Sequence, residues 1–275
     1  MDQVASLELQ MDVVTRQGLT LVTTEQQKYA GLAALTRVLL NVLAGASPTR
    51  ASDAAQRSHE LFNRSMESNP PPQAPACKKG CSHCCRIHLT ATAPEIFAVA
   101  KALRAMPQSQ FESTQSRIRA ASAATGRDWS HDIFFTYQCP LLEDHACSVH
   151  PARPDACRGV SSYSARACEL SIAAMAENRD EAVPHVIEHG ILRSLHAHAL
   201  WAALQAAGLP FATYSLNQAL ERVLDTPDAE ARWLAGEDIF AGVPPDTSLQ
   251  GRSLELVTAT MAALIAGATG QAPLS

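Results

Sequence analysis

Aromatic residues are scarce in this sequence (5%), charged ones modest (18%), and basic residues are outnumbered, 22 Lys and Arg against 27 Asp and Glu. The net charge of -5 argues against a nucleic-acid-binding surface, which needs Lys and Arg massed against phosphates. No window approaches the ~18 consecutive apolar residues of a membrane span, so no membrane partner is expected. The opening Met1-Asp2-Gln3-Val4 lacks the basic start and apolar stretch of a secretory signal, which points to a cytoplasmic chain. A Gly-x-Ser-x-Gly elbow, a phosphate loop and a His-Glu-x-x-His helix are also missing. So is the Gly-x-Gly-x-Gly loop of a conventional methyl-donor pocket, and no internal repeat has a fixed period.

Alanine and leucine dominate the 47% of hydrophobic residues. Both lose little conformational freedom in helices, so an all-α fold is expected. The length suits one helical domain over residues 1–275, with a cysteine-rich, irregular metal-binding core at 77–168. N-terminal helices within 25–67 and C-terminal helices within 183–266 flank that core.

Residues 19–24 form a β-branched run, either a short strand or a helix lead-in. Leu32, Leu35, Leu39, Val42 and Leu43 recur at helical spacing and predict a helix over 25–44. Ser52 is expected to cap a second helix over 52–67. The proline-rich segment 69–75 cannot continue it and should run extended. Thr92, Pro94 and Glu95 read as cap, first-turn proline and third helical residue of a helix ending before Pro107. Further helices are expected at 109–124, 167–178, 183–207, 215–224, 227–235 and 251–266. The stretch 126–154 has no helical period, and 267–275 reads as frayed.

The chemistry lies in eight cysteines. Cys77, Cys81, Cys84 and Cys85 form a C-x3-C-x2-C-C knot; Cys139, Cys147, Cys157 and Cys168 follow. In a reducing compartment, clustered thiols bind metal or do redox chemistry more often than they form disulfides. Cys81 and Cys84 make a chelating bite, Gly80 permits a sharp turn beside them, and Lys78, Lys79 and Arg86 favour thiolates. The adjacent Cys84 and Cys85 diverge, so either one faces away or the site holds more than one metal ion. Prolines 140, 151 and 154 stiffen the second group.

Together these residues resemble the YkgJ-type cysteine-cluster family of zinc- or iron-chelating proteins. The resemblance rests on Cys77, Cys81, Cys84, Cys85, Cys139-Pro140, Cys147, Arg153-Pro154 and Cys157-Arg158, and covers about residues 77–160. It implies metal ligation by Cys77, Cys81, Cys84, Cys85, Cys139, Cys147 and Cys157. His150 stands where the family usually has an aromatic residue, and Cys168 lies outside the shared block as a lesser candidate. A related group is similar to flagellin lysine N-methylases, which carry an iron–sulfur cluster and use S-adenosylmethionine.

Seven thiols exceed the four ligands of one tetrahedral zinc. They suit two zinc ions sharing a thiolate, or one 4Fe–4S cluster with cysteines to spare. An iron–sulfur cluster implies a redox or protein-modification enzyme acting on an unidentified protein. Zinc implies a structural or partner-binding module without catalysis, and the superfamily resemblance adds a protein lysine methyltransferase-like enzyme. Thiolates alone do not separate iron from zinc.

Three other groups are weighed. His185, His189 and His196 share one stripe of the helix over 183–207 and are expected at the surface or a helix boundary. His83 and His88 flank the knot as bystanders or supporting donors. Asp128, Trp129, His131, Asp132, Phe134 and Phe135 are expected to pack the irregular loop against the helices.

Overall fold

The computed structural model describes residues 30–125, 138–177, 179–247 and 251–270. The expectations for 19–24 and for the aromatic stretch from Asp128 to Phe135 lie outside these residues. The described chain is helical, with ten α-helices and two small antiparallel strand pairs.

Helix α1 spans Ala30–Leu43 and buries Leu32, Leu39 and Leu43, the face its leucine spacing predicts. Helix α2 spans Arg50–Ser68. Its cap is Thr49 rather than Ser52, because Ser52 already lies inside the first turn. There the Ser52 amide and hydroxyl both donate to the Glu230 carboxylate, at 2.6 and 2.9 Å. A distant carboxylate thus satisfies a first-turn amide that a local cap would otherwise hold.

Strand β1, Thr90–Thr92, runs straight into α3, Ala93–Arg104. The expected capping box is present: Thr92 donates from its amide (2.9 Å) and hydroxyl (2.7 Å) to Glu95 Oε2. Helix α4 spans Gln108–Ala124. Strands β2, Leu142–Glu143, and β3, Ala146–Cys147, then form a tight hairpin. Helix α5 is the single turn Asp155–Arg158, and α6 spans Ala165–Met175 with Ser164 as its cap.

Helix α7 spans Ile187–Ala206, so it begins later than the 183 expected. His185 instead bridges to Ser162, and the Val186 amide donates to Ser161 O at 3.0 Å. Strand β4, Thr213–Ser215, pairs with β1 and opens helix α8, Leu216–Asp225. Helices α9, Ala229–Leu234, and α10, Gly251–Thr269, complete the order. Helix α10 outlasts the expected end at 266; Arg37 of α1 donates to its last carbonyls, Gly267 O and Ala268 O, at 2.8 Å each.

The main core joins α1, α2, α3, α4, α7 and α8 around Ile96, Phe97, Leu103, Ile118, Leu204 and Leu220. Phe97 meets Trp233 edge-on at 5.6 Å and Phe240 at 6.0 Å, and Tyr214 stacks on Phe240 at 4.5 Å, so these four aromatics gather beside α3. A smaller cluster of Leu32, Ala202, Val257, Met261 and Leu264 joins α1, α7 and α10. Among the described residues no helix is long and apolar enough to cross a membrane.

Candidate metal centre

The thiol knot hangs between α2 and β1. Its lead-in after α2 is non-helical and is tied down where the Ala76 amide donates to Ser162 O at 2.8 Å. Gly80 takes φ +91°, the left-handed region a side chain disfavours, and lets the Cys81 amide turn back onto Lys78 O at 2.9 Å. His83–Arg86 form one 3-10 turn carrying Cys84 and Cys85. At three residues per turn, the adjacent side chains point about 120° apart. Divergence of this pair is thus built into the backbone.

The second thiol group folds back onto the first. The Cys139 amide donates to Cys85 O at 2.7 Å, and Leu142 N to Cys139 O at 3.1 Å. Cys147 lies opposite Leu142 in the hairpin, whose two-residue turn, Asp144-His145, has φ of 45° and 61°. At its tip His145 Nδ1 lies 3.2 Å from Ser82 Oγ, a second tie between the groups. Helix α4 anchors the hairpin's base: Arg117 donates to Pro140 O and Glu143 Oε1, each at 2.9 Å.

Arg158 joins the loop bearing Cys147 and Cys157 to α2. Its guanidinium donates to Arg153 O (2.8 Å), to Asn63 Oδ1 of α2 (3.0 Å) and to Pro151 O. Cys157 lies inside α5, its amide donating to Pro154 O at 2.9 Å. Helix α6, which carries Cys168, packs on the 3-10 turn of the knot.

Electrostatics link the thiols into two groups that share Cys84. Burial raises the Cys77 thiol, and the neighbouring charges that add to this are Cys81, Cys84 and Cys168. Burial also raises Cys139, to about 11, with Cys147 and Cys84 adding to it. Cys157 is pushed up further by burial and by Cys139, Cys147 and Cys84. Within the adjacent pair, a hydrogen bond from the Cys85 thiol lowers Cys84 and raises Cys85. Cys84 therefore carries the first negative charge of the pair. All eight cysteines are free thiols in this structure.

Arg153 lowers Cys84, Cys147 and Cys157, so a cation from the second loop serves both groups. The sequence points to Lys78, Lys79 and Arg86 for that work, whereas Lys78 and Lys79 are exposed. Arg153 and His145 were missed as contributors, although each follows a thiol closely in the chain. Cys168, a lesser candidate from its position in the sequence, bears electrostatically on Cys77.

The histidines divide. His150 is exposed and His83 half-buried. Contrary to expectation, His189 and His196 are buried, because α7 turns this stripe toward its neighbours rather than to solvent. His189 Nδ1 lies 2.5 Å from Ser161 Oγ, and His196 Nε2 lies 3.3 Å from Ser65 Oγ, with the Phe62 ring edge-on at 5.3 Å.

Residues 76–180 match the family model CxxCxxCC, described as a "Putative zinc- or iron-chelating domain". No match is found among the curated proteins or the solved structures. The matched segment takes in all eight cysteines, both anchoring arginines and helix α6. The similarity to zinc- or iron-chelating cysteine-cluster domains is thus confined to residues 76–180 and rests on the thiols and the loops that carry them.

Proposed function

We propose that the two thiol groups hold one polynuclear metal centre, an iron–sulfur cluster in the first reading, and that the domain works in electron transfer or redox-linked modification of a protein partner. The ligand set comprises Cys77, Cys81, Cys84, Cys85, Cys139, Cys147 and Cys157, with Cys168 added because its helix packs on the 3-10 turn and its charge bears on Cys77. The observation that carries this reading is the 2.7 Å bond from the Cys139 amide to Cys85 O, which ties the second thiol group to the knot. A single tetrahedral ion takes four such ligands, so this number of thiols suits a centre of more than one metal.

When bound, an iron–sulfur cluster supplies one-electron chemistry. The protein's own part is to orient and tune. The 3-10 turn splays Cys84 and Cys85, the hairpin presents Cys147, and Arg153 offsets thiolate charge. The exposure of Cys77 and Cys84 supports a centre whose rim a partner surface can reach.

Zinc is the second reading, favoured by the stiff hydrogen-bonded loops that pin the thiols to α2 and α4. Zinc has no redox chemistry and would make the domain a structural or docking module. Anaerobic purification followed by iron, zinc and acid-labile sulfide analysis decides between them. Iron with sulfide and a visible spectrum bleached by dithionite supports the first reading. One or two zinc ions in a colourless protein support the second. Neither metal at stoichiometric level overturns both.

A further inference from the structure

Apart from the thiols, three buried side chains from three helices converge. His59 of α2 is 3% exposed, Glu95 of α3 5% and Asp155 of α5 4%. His59 Nε2 lies 3.6 Å from Asp155 Oδ1 and 3.9 Å from Glu95 Oε1, and one donor atom of each residue falls within 4.8 Å of the other two. We infer that His59, Glu95 and Asp155 form a second metal site, for one divalent first-row cation held by nitrogen and oxygen.

Hydrogen bonding sets this group apart from a packed polar cluster. Neither carboxylate oxygen of Asp155 receives a hydrogen bond, and His59 Nε2 makes none. A carboxylate removed from water without a hydrogen bond is costly; it is relieved by taking up a proton, by an ion partner or by a bound cation. Arg158 and Arg193 act on Asp155 only through space: its oxygens accept no hydrogen bond, and the Arg158 guanidinium donates to Arg153 O, Pro151 O and Asn63 Oδ1. Glu95, by contrast, is held in place: Oε2 accepts from Thr92 twice, and Oε1 accepts from the Asp155 amide at 2.8 Å. Such supporting donors orient ligands in metal sites.

The spacing fits with little movement. Tetrahedral nitrogen and oxygen donors around a first-row cation stand about 3.4 Å apart. One imidazole and two carboxylates suit Mn2+, Fe2+ or Zn2+. Three protein ligands leave coordination positions open, and a cavity of about 860 Å³ reaches the site: Glu95 and Asp155 are among its lining residues, with Arg193, His198 and Trp201. The cavity gives the ion an entry path. Helix α5 carries Asp155 at its start and Cys157 two residues further on, so the two sites share this turn.

Mn2+ is the probe, because it prefers carboxylate ligands to thiolates. Titrating it into the protein as purified, with free Mn2+ followed by electron paramagnetic resonance, should show one bound ion per chain. Asp155→Asn and His59→Gln should each weaken binding at least tenfold while iron or zinc on the thiols is unchanged. No stoichiometric Mn2+ on the wild-type protein, or equal affinity in both variants, overturns the site. If Asp155→Asn loses its helical signal or its thiol-bound metal, His59→Gln decides, along with a Mn2+-dependent rise in wild-type Tm that this variant should lack.

Discussion

The Cys139 amide donates to the Cys85 carbonyl across 2.7 Å, joining thiol groups that lie on either side of helices α3 and α4 in the sequence. Metal on one group should therefore hold the other in place. Cys81→Ser and Cys157→Ser, each removing a thiol from a different group, should both release metal and lower the Tm. Metal content after gel filtration and a thermal melt check this. Stoichiometric metal retained in either variant would show that the ligand set is wrong.

Cys168 bears on the Cys77 thiol from a helix packed on the 3-10 turn. Cys168→Ser is expected to reduce metal content as far as Cys77→Ser does. An unchanged metal-to-protein ratio in Cys168→Ser alone would restore the seven-thiol set read from sequence.

Gly159 follows α5 with no room for a side chain: a Cβ there would lie 2.3 Å from Arg193 Cβ on α7. Gly159→Ala should push the turn bearing Cys157 away from α7. The expected cost is about 1–3 kcal/mol, the usual range for overpacking, with weaker metal retention in competition with a chelator. A urea midpoint within error of wild type would disprove the close approach.

Acid should destabilise the fold through its buried histidines. Burial lowers His196 from 6.5 to about 4, and lowers His59, His189 and His198 in the same direction. Between pH 6.5 and 4 the unfolded chain binds protons that the folded chain refuses, so stability is full above this window and falls as the pH drops through it. His196 alone accounts for about 2–3 kcal/mol. Urea midpoints across the window should fall with acid and fall less steeply in His196→Phe. Parallel slopes for the two proteins would refute the assignment.

Local patterns made much of the helical framework legible. The leucine spacing of α1 and the Thr92–Glu95 box are complete within a few residues, and both appear as read. Ser52 shows the limit. It has the chemistry of a cap, yet its partner is Glu230, far along the chain, and no local signal names that partner. The histidine stripe of α7 is a similar case. Its periodicity was legible, but whether it faces solvent or α2 depends on which neighbours pack there. The Ser65 and Phe62 contacts of His196 settle it.

By itself the sequence determined that this chain concentrates thiols at chelating spacing within a helical framework, because helix propensity and short-range ligand spacing are properties of neighbouring residues. Only the tertiary structure decided that Cys139 closes onto Cys85, that Arg153 acts on thiols of both groups, and that the helix carrying Cys168 packs on the turn carrying Cys84 and Cys85. It also brought His59, Glu95 and Asp155 together from three helices. These are contacts between segments far apart in the chain, set by how whole helices pack, and no short window of sequence encodes them.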